Sequence, residues 1–169
     1  MELKDSGARR EFGTGAVRDI QEGKGRCDLL PLFDVGLIVH DSILRNIGHF
    51  METGTVAYIE DAITSFCVDR LQSEHYACLL DLAKHFEDGA RKYSDRNWEM
   101  GIPCHCFVDS GVRHYIKFMA GWDDEPHDRA FLWNMYCLLW TLRNHPDLND
   151  LPQYNTTASD ATDKMIVVQ

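Results

Sequence analysis

The sequence predicts a mainly α-helical protein, a single-domain helical bundle with an extended N-terminal arm and a flexible C-terminal tail. Three observations carry that expectation. Apolar residues recur at helical spacing in separate stretches between residues 73 and 143. No alternating apolar–polar runs face each other across a hairpin turn, so strand pairs are not expected. The chain has 169 residues, 44% of them hydrophobic, which suits one domain with a real core and argues against wholesale disorder.

Each element has its own reason. Residues 1–31 are rich in Gly and charge and cannot build a core; they can lie across one and deliver Arg9, Arg10, Arg18, Lys24 and Arg26 to a pocket. Residues 33–70 read as two helices broken near Thr53-Gly54. A helix starting near Ser73, with Glu74 in its first turn, carries Tyr76, Leu79, Leu80, Ala83 and Phe86 on one side to Gly89 or beyond. The next spans 107–119 through Val108, Val112, Tyr115, Ile116 and Met119 and stops at Gly121. The last follows Asp123-Asp124-Glu125-Pro126, where acids and an early proline suit a helix N-terminus. It runs on Phe131, Leu132, Met135, Leu138, Leu139 and Leu142 to about Arg143, and Pro146 and Pro152 close it. The division expected is an arm over 1–31 contributing to the site, a helical catalytic domain over 32–146 and a tail over 147–169, whose final MIVV can dock on a neighbour.

Charge and cysteine usage narrow the function classes. A net charge of −10 disfavours a nucleic-acid polymer as partner, since counterion release needs clustered Lys and Arg, yet it permits a local basic pocket for one small anion. No apolar run reaches the roughly 18–20 residues that span a bilayer, and the charged N-terminus lacks a signal-peptide core. Six cysteines without a secretory signal read as reduced thiols. The expectation is a soluble cytoplasmic protein with no membrane partner, forming a homo-oligomer through apolar helix faces.

The chemistry concentrates between residues 84 and 143. Carboxylates (Glu87, Asp88, Asp109, Asp123, Asp124, Glu125, Asp128), His114 and His127, and the cations Arg91, Lys92, Arg96, Arg113 and Lys117 recur on segments that otherwise read as core helices. A divalent metal needs hard oxygen ligands and a phosphate needs fixed positive groups, so a metal-assisted phosphate or nucleotide enzyme is the first hypothesis. Asp109 and Arg113 stand four apart, either as a solvated ion pair or as part of a site. The acidic knot Asp123-Asp124-Glu125 is either a helix cap or, its repulsion offset by Mg²⁺ or Mn²⁺, a metal site. Trp133 and Trp140, seven apart, read as core.

Other motifs fail. Pro103-Cys104-His105-Cys106 has two thiols too close together and no second Cys/His pair at finger spacing. The deaminase pattern of Pro-Cys-x-x-Cys with an upstream His-x-Glu is missing. Gly23-Lys24 is not a P-loop, because Arg18 and Gly25 stand where Gly and Ser/Thr belong. His127-Asp128 could be a histidine–aspartate phosphohydrolase doublet, a pattern that also needs an upstream His and a distant downstream Asp. There is no nucleophile elbow.

Several strings together carry a resemblance. They are Gly23-Lys24-Gly25-Arg26-Cys27-Asp28-Leu29-Leu30-Pro31, then Gly89-Ala90-Arg91-Lys92-Tyr93 through Arg96-Asn97-Trp98 and Gly101. Asp109 with Arg113-His114 follows, then Gly121, the acidic knot, His127 and Trp133-Asn134. The chain resembles the phage dATP/dGTP diphosphohydrolase family over roughly residues 4–145, with 33–72 looking like an inserted or diverged helix pair. The resemblance implies an α-helical enzyme, related in activity to the all-α nucleoside triphosphate pyrophosphatases, that acts in phage nucleotide metabolism in the host cytoplasm. It would cut dGTP or dATP to the monophosphate and pyrophosphate. On that reading Mg²⁺ or Mn²⁺ is held by Asp124 and Glu125 with Asp109 or Glu87. Lys92, Arg96 and Arg113, joined by Lys24 and Arg26 from the arm, neutralise phosphate charge. His114 or His127 acts as ligand or proton donor, or is a satisfied core histidine. Asn97, Trp98 and Asn134 contact base or ribose, or Trp98 simply pins its loop. One departure stands: Glu125-Pro126-His127-Asp128 fits the Glu-x-x-Asp spacing of those pyrophosphatases, but no Glu-x-x-Glu precedes it. A histidine–aspartate dNTP phosphohydrolase and a non-catalytic nucleotide- or protein-binding module are the alternatives.

Overall fold

A computed structural model describes residues 7–72 and 75–152. The chain opens with a short antiparallel hairpin, β1 (Arg9–Glu11) and β2 (Val17–Asp19), in the register Arg9↔Asp19, Arg10↔Arg18 and Glu11↔Val17. Six α-helices follow among the described residues: α1 (Leu32–Ile38), α2 (Ser42–Thr53), α3 (Ala57–Ser65), α4 (His75–Tyr93), α5 (Cys104–Met119) and α6 (His127–Asn144). The protein is mainly helical, as the periodicity predicts.

The hairpin corrects the expectation of an arm without strands. Its strands are three residues each and read Arg-Arg-Glu and Val-Arg-Asp, so no apolar alternation marks them. They form because the body holds them. The Asn97 side chain donates to the Val17 carbonyl at 2.9 Å and accepts from the Val17 N–H at 2.8 Å, taking the place of a third strand. Ala16, in the turn, is fully buried.

The segment 33–70 also differs from expectation, with three helices and a π turn (Phe66–Arg70) instead of two helices. The predicted break is present, because Gly54 ends α2 in the left-handed conformation at φ 71°. The extra break is set by His40, at φ 54°, and by Asp41, whose carboxylate caps α2 by accepting from the Ile43 and Leu44 N–H groups. Asp41 also accepts from Arg70 and from the Tyr115 hydroxyl, tying the π turn and α5 to the start of α2. Two glycines let α1 and α2 touch. A Cβ at Gly36 would lie 2.6 Å from the Arg45 nitrogen, and one at Gly48 2.6 Å from the Phe33 Cα.

Helix α4 continues through Gly89 to Tyr93, and the predicted capping residues Ser73 and Glu74 lie outside the described residues. Helix α5 begins at Cys104, three residues before the expected start, with Pro103 ahead of it. Helices α5 and α6 form the centre of the body. Phe66 meets Tyr115, Phe118 and Phe131 there at centroid distances of 5.9, 5.1 and 4.6 Å. Each such buried ring contributes roughly 1.5–3 kcal/mol through its apolar area. Beyond α6 the chain stays packed through the last described residues. Leu151 is buried, and Asp150 accepts from the His105 N–H at 2.9 Å while its other oxygen meets the His105 ring. The MIVV segment lies outside the described residues. No helix among those described is long and apolar enough to cross a membrane.

Candidate functional site

The arm, α4, the loop after it, α5 and the start of α6 enclose a cleft of about 1140 Å³. Its walls follow from the arm's path. Asp19 at the end of β2 accepts from Lys92 at 2.7 Å and Tyr93 at 2.9 Å, fastening the hairpin to the last turn of α4. The Gln21 side chain donates to Asp109 at 2.6 Å, and the Cys27 N–H donates to the other Asp109 oxygen at 2.6 Å. Arg113 completes the set with an ion pair to Asp109 and bonds to the Lys24 and Gly25 carbonyls, both at 3.2 Å. Asp109, almost wholly buried, is therefore the post on which the second half of the arm is hung.

Arg18 runs deepest. Its guanidinium donates to the Cys106 carbonyl at 3.0 Å and to the Asn134 carbonyl oxygen at 2.9 Å, with the faces of Phe107 and Trp133 5.3 and 5.5 Å away. Among the described residues no carboxylate pairs with it. Burial pulls its pKa below the ordinary arginine value, yet a guanidinium keeps its charge at neutral pH. A cation at the cleft wall, bonded only to neutral acceptors, favours an anion beside it. Nearby His85 is buried with an unpartnered Nδ1. Burial, then Arg129 and Arg18, push its pKa down to about 3, so it is neutral.

At the other end of the cleft two histidines meet. The Nδ1 atoms of His114 and His127 are 2.9 Å apart, and a Glu125 oxygen lies 3.8 Å from His114 Nδ1. One ligand atom from each of His114, Glu125 and His127 falls within 4.8 Å of the others. His127 Nε2 is 2.8 Å from Asp124, whose second oxygen accepts from Lys117 at 3.2 Å. Burial, then the neighbouring His127, hold the pKa of His114 well below the usual imidazole range. The 120–126 connection builds this corner by turning at Gly121, φ 71°, and returning the acidic knot over the last turns of α5.

The structure sorts the residues that the sequence nominates. It brings His114, His127, Asp124 and Glu125 together. Lys24, Lys92, Arg113 and Asn134 line the cleft. Asn97 is buried and engaged by Val17, and Trp98 packs between Phe86 and Trp140 at 5.4 and 4.9 Å. Arg96 lies at the rim, 2.6 Å from Glu99 and largely exposed. Arg26 is held in a two-pronged pair by Asp28 and is not on the cleft wall. Asp109 and Glu87 do not join the acidic corner: the first is engaged by Gln21, the Cys27 N–H and Arg113, the second by Arg91. The donor set that does assemble, two imidazoles and one carboxylate, is a poor fit to Mg²⁺, which prefers oxygen ligands. Asp128 is not part of it. Asp19, Gln21 and His85 are the contributors that the sequence does not single out, while Arg18, expected in a pocket with four other arm cations, does line the cleft. Arg18 is one of six cations in residues 1–31, and no spacing sets it apart.

A small helical body whose N-terminal hairpin completes a cleft of mixed charge is the class that this geometry defines. The chain belongs to the family described as dATP/dGTP diphosphohydrolase, N-terminal, which matches residues 67–151. That stretch carries α4 to α6 and with them most of the cleft wall. No curated protein matches the chain, and no solved structure does.

Proposed function

We propose that the cleft binds a purine deoxynucleoside triphosphate and hydrolyses it between the α- and β-phosphates, giving the monophosphate and pyrophosphate. The observation that carries this reading is the gathering of Arg18, Lys24, Lys92, Arg113 and Lys117 around one cleft in a chain of net charge −10. Family membership gives the substrate class. Arg18 and Lys24, which no carboxylate pairs with among the described residues, carry most of the charge that meets the triphosphate and the leaving pyrophosphate, while Lys92, Arg113 and Lys117 share theirs with Asp19, Asp109 and Asp124. Fixed charge of this kind supplies most of the acceleration in phosphoryl transfer. Arg113 is the best placed, since Asp109 and two arm carbonyls fix its orientation. Asn134, held by Arg18, and Trp98 across the cleft order the nucleoside end, while Asn97 fixes the hairpin beside it. The chain's net charge of −10 discourages polynucleotides. Of the two cations expected from the sequence, Mn²⁺ suits the His114, Glu125 and His127 donors better than Mg²⁺, and when bound it would lower the pKa of a coordinated water.

The experiment is incubation of the purified protein with each dNTP and NTP and a divalent cation, with products resolved by ion exchange. The expected outcome is conversion of dGTP or dATP to the monophosphate and pyrophosphate, abolished by EDTA and in Arg113→Ala. Nucleoside plus triphosphate would identify histidine–aspartate chemistry instead. No turnover by folded protein would leave a binding module.

A further inference from the structure

We infer that His114, Glu125 and His127 form a site for one transition-metal ion of the Mn²⁺, Co²⁺ or Zn²⁺ class, with Asp124 orienting His127. This deepens the nucleotide-site reading by naming the class of its metal. Metal–nitrogen and metal–oxygen bonds of about 2.1 Å set adjacent donors roughly 3.0–3.4 Å apart, depending on geometry. The His114–His127 separation of 2.9 Å is already close to that, and Glu125 at 3.8 Å needs only a small side-chain rotation. Hydrogen bonding points the same way. Asp124 is 2.8 Å from His127 Nε2, and a carboxylate accepts there only from an N–H. With Nε2 engaged by Asp124, the other ring nitrogen, Nδ1, is the one that faces His114. A carboxylate behind a ligating imidazole is the usual support of a histidine–metal bond, fixing tautomer and ring orientation. The two nearest cations are offset, Arg113 by Asp109 and Lys117 by Asp124. His127 and His114 side chains are only 1% and 16% exposed, so the ring nitrogens do not serve solvent. The plain alternative is a bare His–His hydrogen bond with no metal.

The test reads metal binding without nucleotide, so its failure and failure of the nucleotide reading are separate results. Full-length protein stripped with EDTA is titrated with Co²⁺, followed by visible absorption and by calorimetry. One Co²⁺ per chain is expected, with absorption bands that Zn²⁺ removes by displacement and equimolar Mg²⁺ does not. Asp124→Asn should weaken binding by about 10–100-fold, the range for losing such a support, and His127→Gln by at least as much. Glu125→Gln, on the connecting segment, provides the same test if a histidine variant fails to fold by circular dichroism. Absence of stoichiometric Co²⁺ binding by folded wild type, binding unchanged in these variants, or displacement by Mg²⁺ as readily as by Zn²⁺ would each overturn the assignment.

Discussion

His105 and Asp150 show how one pair can give stability a pH signature. The hydrogen bond to Asp150, with that to Cys106, raises the His105 pKa to about 10, against an ordinary 6.5. A group whose folded pKa is raised contributes stability that is fully present below the unfolded value and lost as pH rises through the folded one. The window here runs from about 6.5 to about 10. Asp150 is 41% exposed, so solvent screens much of the effect. The expected outcome is a melting-temperature gap between wild type and Asp150→Asn that is widest near pH 6 and closes by about pH 10.5. A gap constant across that range would show that the pair acts through its backbone bond alone. The pair was invisible in the sequence. His105 sits in a Cys-His-Cys run that looks like metal chemistry, and its partner is 45 residues away in what reads as a polar tail.

Elements divide into those written in periodicity and those written in contacts. Helices α4, α5 and α6 are legible to within a few residues because each must bury one stripe, and a stripe repeats at 3.6. The hairpin and the α1–α2 turn are not, because they depend on Asn97 reaching Val17 and on Asp41 serving four donors. The α1–α2 contact makes a prediction of its own. Gly48→Ala would push a Cβ into the Phe33 backbone, which cannot move without displacing α1. A loss of about 1–3 kcal/mol is expected from such overpacking, read by urea unfolding, although alanine is the better helix former. A half-buried glycine in α4, Gly89, meets nothing within 4 Å and should show the opposite sign on the same substitution.

For the whole molecule, the arm and the body meet at Arg18. The candidate site was half legible. His114, Arg113 and the acidic knot were readable because like charges crowd in a short window, whereas Arg18 and Gln21 gain meaning only once the arm is folded back. Arg18→Ala removes the donor from the Asn134 side chain and the Cys106 carbonyl, two buried acceptors. The Cys106 carbonyl keeps its helical donor, so the unmet group is the Asn134 oxygen, which should cost about 1–3 kcal/mol. Amide exchange should quicken across residues 7–20 while α5 and α6 stay protected, and affinity for dGTP should fall. Exchange that rises uniformly would mean that the arm is not a separate unit.

The Arg18–Asn134 bond spans 116 positions of the chain. Ends that far apart come together late, because loop closure costs entropy before any contact rewards it. During synthesis the hairpin can therefore fasten to α4 and Asn97 while the cleft is still open, and only emergence of α6 gives Arg18 its bond to Asn134. The protein should acquire its helices first and its site last, as a separate slower phase in refolding.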